Sequence, residues 1–228
     1  MHKAVVLLSA GLDSSYNLVC ALKKFEVVMT LTFNYGQRAA RREISCASRL
    51  AKTYKVPHRV VQVPWFKDFT RTSLVGAAAV PTGKQISIDN LKQSFATAKR
   101  VWVPNRNGIL LNIAAGYAEG LGAKYIIPGF NREEAATFPD NSGAFMNALD
   151  KSLSFSTANG VKVFCFSTKR NKTEIVKDGL KAGLPFTKLW PCYFAGAKWC
   201  GKCESCQRYA RALEANGLSF HELREKSR

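Results

Sequence analysis

The chain has 228 residues, 46% of them hydrophobic, enough for one domain with a substantial core or for one domain plus a small appendage. No run approaches the roughly 18 apolar residues of a membrane span, and the short apolar run after Lys3 lacks a convincing cleavage site for secretion, so the expected location is the cytoplasm. A formal net charge of +18 is high for an enzyme of small molecules and points to anionic partners, nucleotides or a nucleic acid, although dispersed basic residues that merely aid solubility account for it as well.

Residues 4–8 form a wholly apolar run, as a strand buried on both faces of a parallel sheet would. The run leads into Leu8, Ser9, Ala10, Gly11, Leu12, Asp13, Ser14 and Ser15, and then into the helical period of Leu18, Val19 and Leu22. Small residues let backbone amides converge on an anion, and a helix over 14–24 adds unpaired N–H groups and the positive end of its dipole. Hydroxyls at Ser9, Ser14 and Ser15 add donors, and Asp13 suits a magnesium ion held against phosphates. An ordinary strand-turn-helix with Ser and Asp as caps uses the same residues. Further strands are expected at 26–33, 58–63, 124–129 and 162–166, and helices at 38–54, 108–121, 144–153, 172–182 and 204–215. This β-α-β-α rhythm argues for an α/β fold, a doubly wound, mainly parallel sheet that binds ligands at the carboxyl ends of its strands.

Residues 64–104 break the rhythm and read as a lid, an insertion or a partner surface, with a short helix around 89–97. Cys192, Cys200, Cys203 and Cys206 form C-x7-C-x2-C-x2-C, which suits a closed tetrahedral zinc site with no open position, hence a role in folding and not catalysis. An iron–sulfur cluster is the chemical rival. Cys20, Cys46 and Cys165 lie in apolar settings and are expected to fill the core. The organisation expected is a nucleotide-binding catalytic domain over 1–190 with a zinc-binding segment, 191–228, packed on it.

The loop at 9–15 resembles the signature of the PP-loop ATP pyrophosphatases, usually Ser-Gly-Gly-x-Asp-Ser, which cleave ATP between the α and β phosphates and adenylate a substrate oxygen. It is not a Walker A loop. Ala10 replaces the second glycine, and its methyl is tolerable if φ stays negative. In order along the chain, LLSAGLDSS (7–15), LTFNYGQR (31–38), VPNRNGILL (103–111), GFNREEAATFPDNS (129–142), KTEIV (172–176) and the four cysteines together resemble the 7-cyano-7-deazaguanine synthase family over nearly the full length.

That resemblance implies an adenine nucleotide alpha hydrolase-like sheet, ATP with Mg2+ and Zn2+, and a C–N ligase of queuosine and 7-deazapurine biosynthesis. The substrates are 7-carboxy-7-deazaguanine and ammonia, the product is the nitrile, and an acyl-adenylate and an amide lie between. It implies ATP on Leu8 to Ser15, catalysis by Asp13, Ser14, Arg106 and Lys172, and a homodimer. Tyr35, Gln37, Gly129, Asn131, Glu133, Glu134, Phe138 and Asp140 are the candidates to bind the deazaguanine, the carboxylate among Glu133, Glu134 and Asp140 that reads its donor groups being left open. Asn34 stands where many members carry Asp. The alternatives are a related ligase joining the deazapurine to a protein or nucleic-acid amine, and a tRNA-modifying PP-loop enzyme. A non-enzymatic zinc-bearing nucleic-acid module is disfavoured by the intact Ser9, Gly11, Asp13 and Ser14.

Overall fold

Ala4, Val5 and Val6 have no solvent exposure because the strand that carries them is the middle of a sheet covered on both faces. In a computed structural model of the chain, which describes residues 1–88 and 90–227, β1 (Lys3–Leu7) pairs in parallel with β2 (Glu26–Asn34), and β2 with β3 (His58–Gln62). On its other side β1 pairs with β4 (Tyr125–Ile127), which pairs with β5 (Lys162–Val163). All four pairings are parallel and the order is β3-β2-β1-β4-β5, so the direction of winding reverses between β1 and β4. Such a reversal opens a crevice at the carboxyl ends of those two strands.

The helices in chain order are α1 (Leu12–Lys24), α2 (Ala40–Thr53), α3 (Phe66–Phe69), α4 (Leu91–Val101), α5 (Arg106–Gly120), α6 (Arg132–Ala135), α7 (Gly143–Ser156), α8 (Lys172–Ala182), α9 (Glu204–Glu214) and α10 (Phe220–Lys226). Strand alternation splits the core in two. Ala4 and Val6 face a cluster built with α1, α2, α8 and α9, whereas Val5, Leu31 and Phe33 face one built with α5 and α7. Trp199, Cys203, Cys206 and Tyr209 belong to the first cluster, so the cysteine segment shares a core with β1. Among the described residues no helix is long and apolar enough to cross a membrane.

Two strands stop earlier than their apolar runs suggest. The run 124–129 pairs only over Tyr125–Ile127, since Pro128 has no N–H to donate and the chain bends there toward α1. The run 162–166 ends as a strand at Val163, and the N–H of Phe166 goes to Oδ1 of the buried Asn17 at 2.8 Å. The segment 64–104 is more regular than expected. It contains α3, a 3-10 turn over Gly83–Gln85 and α4, whose N-cap Asn90 accepts from the Gln93 N–H at 3.1 Å. The helix expected over 89–97 runs Leu91–Val101, and Asp89 lies outside the described residues. Thr82 bridges to Cys203, and Gly83 N–H donates to the Lys202 carbonyl at 2.9 Å, so the segment is pinned to the cysteine region.

Candidate active site

A cavity of about 270 Å³ opens at the crevice between β1 and β4. At one end lies the turn that joins β1 to α1. Gly11 is the N-cap of α1 and makes no side-chain capping bond, so the orphan N–H groups of the first turn are left for solvent or a ligand. The Ser9 and Ser14 hydroxyls stand 3.1 Å apart, and Gly11 N–H donates to Ser9 Oγ at 3.4 Å. Leu8, Ser9, Gly11, Leu12, Asp13 and Ser14 line the cavity, whereas Ala10 and Ser15 do not.

Ala10 departs from expectation. Its φ is +60°, in the left-handed region, not negative. The methyl is fully buried and the carbonyl accepts from Trp190 N–H at 2.8 Å, so tertiary packing holds a backbone conformation that costs a side-chain-bearing residue about 1–2 kcal/mol. Across the turn, Gly129 follows β4. A methyl there would lie 2.5 Å from the Ser14 nitrogen, so only glycine lets the two loops touch.

Lys172 begins α8, where Asn171 and Glu174 form a capping box. Its Nζ lies 2.7 Å from Asp13 Oδ2 and 2.8 Å from Glu134 Oε1, with the side chain 5% exposed. Burial opposes the lysine charge, but the two carboxylates outweigh it and hold Lys172 above its ordinary pKa. Burial raises Asp13 more than Lys172 lowers it, while Glu134, also desolvated, is carried below its usual range by Lys172. Asp13 Oδ1 is buried with no hydrogen-bond partner among the described residues.

The other end of the cavity is aromatic and carries a second, half-buried cation. Arg106 opens α5 and faces Tyr35 and Asp140, which keep its pKa high although burial opposes it. Burial raises Asp140 despite Arg106. Phe138 stacks on Trp102 at 6.0 Å with the rings 6° from parallel.

Of the residues expected to bind the deazaguanine, Tyr35, Gln37, Gly129, Glu134, Phe138 and Asp140 line the cavity; Asn131 and Glu133 do not. Asn131 is buried and its Oδ1 caps α6 by accepting from Glu134 N–H at 2.9 Å. Glu133 accepts from Lys172 N–H at 2.8 Å, and its other oxygen pairs with Arg208 at 3.2 Å and Arg211 at 2.5 Å. Gln37 spends its amide on the turn itself, accepting from Tyr35 N–H and donating to the Phe33 carbonyl and to Glu43. Asn34 accepts from Gly36 N–H at 3.2 Å and closes the same turn without lining the cavity.

Sequence reading missed Glu43, Trp102, Trp190, Tyr193 and Arg208, all of which line the cavity. Glu43 and Arg208 sit on amphipathic helices where a charged residue reads as solvent-facing, and nothing local distinguishes them. Cys165 is no simple core filler: its thiol is 3.5 Å from Asn17 Oδ1 and from Ser167 Oγ, in a polar network.

Beside the cavity, which Cys192 helps to line, the sulfurs of Cys192, Cys200, Cys203 and Cys206 all lie within 4.8 Å of one another. Those of Cys200 and Cys206 are 3.9 Å apart, close to the roughly 3.8 Å edge of a tetrahedron with 2.3 Å metal–sulfur bonds. Cys192 Sγ accepts from Phe194 and Cys200 N–H, and Cys200 Sγ from Lys202 and Cys203 N–H, as thiolates at a metal do. The four residues can hold a metal ion. Cys203 is also the N-cap of α9, so the cluster aims that helix, which carries Glu204, Arg208 and Tyr209 to the cavity wall.

A family model described as "Queuosine biosynthesis protein QueC" matches residues 3–217, a span that includes the loop, the cavity residues and all four cysteines. The chain belongs to the QueC family. Its relatives include a 7-cyano-7-deazaguanine synthase of Bdellovibrio bacteriovorus, 55% identical over 97% of this chain and 96% of the relative. Proteins of the same name from Pelotomaculum thermopropionicum and Carboxydothermus hydrogenoformans are each 48% identical, over 96% and 95% of this chain and 99% and 100% of theirs. Full-length agreement with QueC favours the synthase reading over the amine-ligase and tRNA-modifying alternatives.

Proposed function

We propose that this QueC-family chain is an ATP-dependent ligase that converts 7-carboxy-7-deazaguanine and ammonia into 7-cyano-7-deazaguanine, in queuosine biosynthesis. One observation carries the reading: an uncapped helix start, two serine hydroxyls and a buried lysine converge at one end of a cavity whose other end is aromatic and holds Arg106. A carboxylate is a poor acceptor for ammonia, and transfer of AMP from ATP supplies the activation that makes it a good one. The first turn of α1 and the hydroxyls of Ser9 and Ser14 are suited to grip the departing pyrophosphate. Lys172 supplies positive charge where negative charge develops, and Asp13 with Glu134 hold its amine in place. Arg106 is suited to orient the substrate carboxylate.

Orphaned Asp13 Oδ1 fits a role as a magnesium ligand. The four sulfurs fit zinc, whose contribution would be to hold α9 in place. The same reading carries a homodimer in the cytoplasm, to be checked by sedimentation and fractionation. A nucleic-acid partner has no support beyond the +18 charge.

The test is an incubation with ATP, Mg2+, ammonium and 7-carboxy-7-deazaguanine, followed by mass spectrometry. The expected result is an amide and then a nitrile, with AMP and pyrophosphate released. Formation of ADP, or AMP formation that needs tRNA and yields no nitrile, overturns the reading.

A further inference from the structure

Glu133, Glu134 and Asp140, the three candidate carboxylates for reading the base, are all engaged by other groups. Glu133 is taken by Arg208 and Arg211, Glu134 by Lys172, and Asp140 accepts from the Asn141 side chain at 3.1 Å and from backbone N–H groups, that of Asn107 among them. A fourth carboxylate, Glu43, lines the same cavity from the first turn of α2. Among the described residues its carboxylate receives one hydrogen bond, from Gln37 Nε2 to Oε2 at 2.8 Å, and forms no ion pair within 4 Å. Two carboxylate oxygens offer about four acceptor directions, so most of that capacity is unspent.

We propose that Glu43 accepts from the ring N–H and the 2-amino group of the deazaguanine and so makes the site specific for a guanine-type base. The proposal rests on the synthase reading above. Three observations support it. Gln37 holds the carboxylate still, since the same amide is tied to the Tyr35 N–H and the Phe33 carbonyl. Burial pushes Glu43 up to about 6 against the pull of Gln37 and Arg106, as expected of a carboxylate short of donors until a ligand brings them. The third is chemical. A guanine-type edge presents two parallel donors, which a carboxylate matches with its two oxygens, whereas an adenine edge sets one donor beside an acceptor that a carboxylate repels. Glu43 therefore suits the deazaguanine and not the adenine of ATP.

Glu43→Gln keeps the shape and loses the second acceptor, and Glu43→Asp keeps the charge but shortens the reach. In steady-state assays the KM for 7-carboxy-7-deazaguanine should rise roughly 30-fold in Glu43→Gln and less in Glu43→Asp, with the KM for ATP within about twofold of wild type. The analogue lacking the 2-amino group should cost wild type a similar factor and cost Glu43→Gln little more. That coupling would be absent if Glu43 only propped up the turn. An unchanged KM for the deazaguanine, a rise in the KM for ATP in its place, or equal losses on the analogue in both proteins overturns the proposal. Calorimetric titration of 7-carboxy-7-deazaguanine into the protein, without turnover, separates the two failures. Wild type that binds the base through Glu43 yet forms no AMP sinks the synthase reading and upholds this one; wild type that turns over with Glu43→Gln binding unimpaired does the reverse.

Discussion

Lys172 and Asp13 are 159 positions apart and meet at 2.7 Å, with Glu134 completing the contact from the short helix α6. The pair ties the start of α8 to the first turn of α1 at the cavity floor. Replacing Lys172 by Met leaves two carboxylates facing each other with no cation between them. That substitution should destabilise the fold by about 3 kcal/mol and lower kcat at least about 100-fold. Asp13→Asn together with Lys172→Met should recover part of the stability but none of the activity, by urea denaturation and pyrophosphate release. Recovery of turnover in the double variant would remove Lys172 from the chemistry.

Ala10 sits at φ +60°, where a methyl is strained and glycine is not. Ala10→Gly should therefore stabilise the protein by about 1 kcal/mol, the relieved strain being offset in part by the greater freedom of glycine in the unfolded chain. Chemical denaturation measures it. A loss of stability would mean that burial of the methyl outweighs the backbone strain.

Cys206→Ser, or a strong chelator, should abolish metal binding measured by mass spectrometry of the native protein. Since Trp199, Cys203, Cys206 and Tyr209 pack in the same cluster as Val6 and Leu8, the whole domain should melt earlier in one transition. Two separated transitions would show that residues 191–228 fold as an independent unit.

The raised pKa of Glu43 gives substrate capture and stability opposite pH dependence. Binding of the deazaguanine needs the carboxylate, so kcat/KM should climb from pH 5 to 7 with a midpoint near 6. The folded protein holds this proton more tightly than an unfolded chain, whose glutamate titrates near 4.5. The group's contribution to stability is therefore full below about 4.5 and lost as pH rises through about 6. Arg106 and Tyr35 face the same space, and neither is expected to titrate in this range. A profile unchanged in Glu43→Gln would assign the midpoint to another group.

The five apolar runs, the helical periods between them and the cysteine spacing were enough to specify a parallel sheet, the strand-turn-helix at its switch point and the cysteine cluster, because strand burial, helix starts and metal-ligand spacing are local properties of the chain. Tertiary structure alone decided which charges are spent and which are available. Glu133 and Asn131 lie in a motif block that reads as substrate-binding, yet one is consumed by arginines from α9 and the other caps a four-residue helix. Glu43 reads as one more solvent-facing charge on an amphipathic helix and instead lines the cavity. The reason is physical: the fate of a carboxylate depends on which cations and donors arrive from segments remote in sequence, 75 and 78 positions away for the arginines on Glu133 and 159 for the lysine on Asp13, and periodicity carries no record of those meetings.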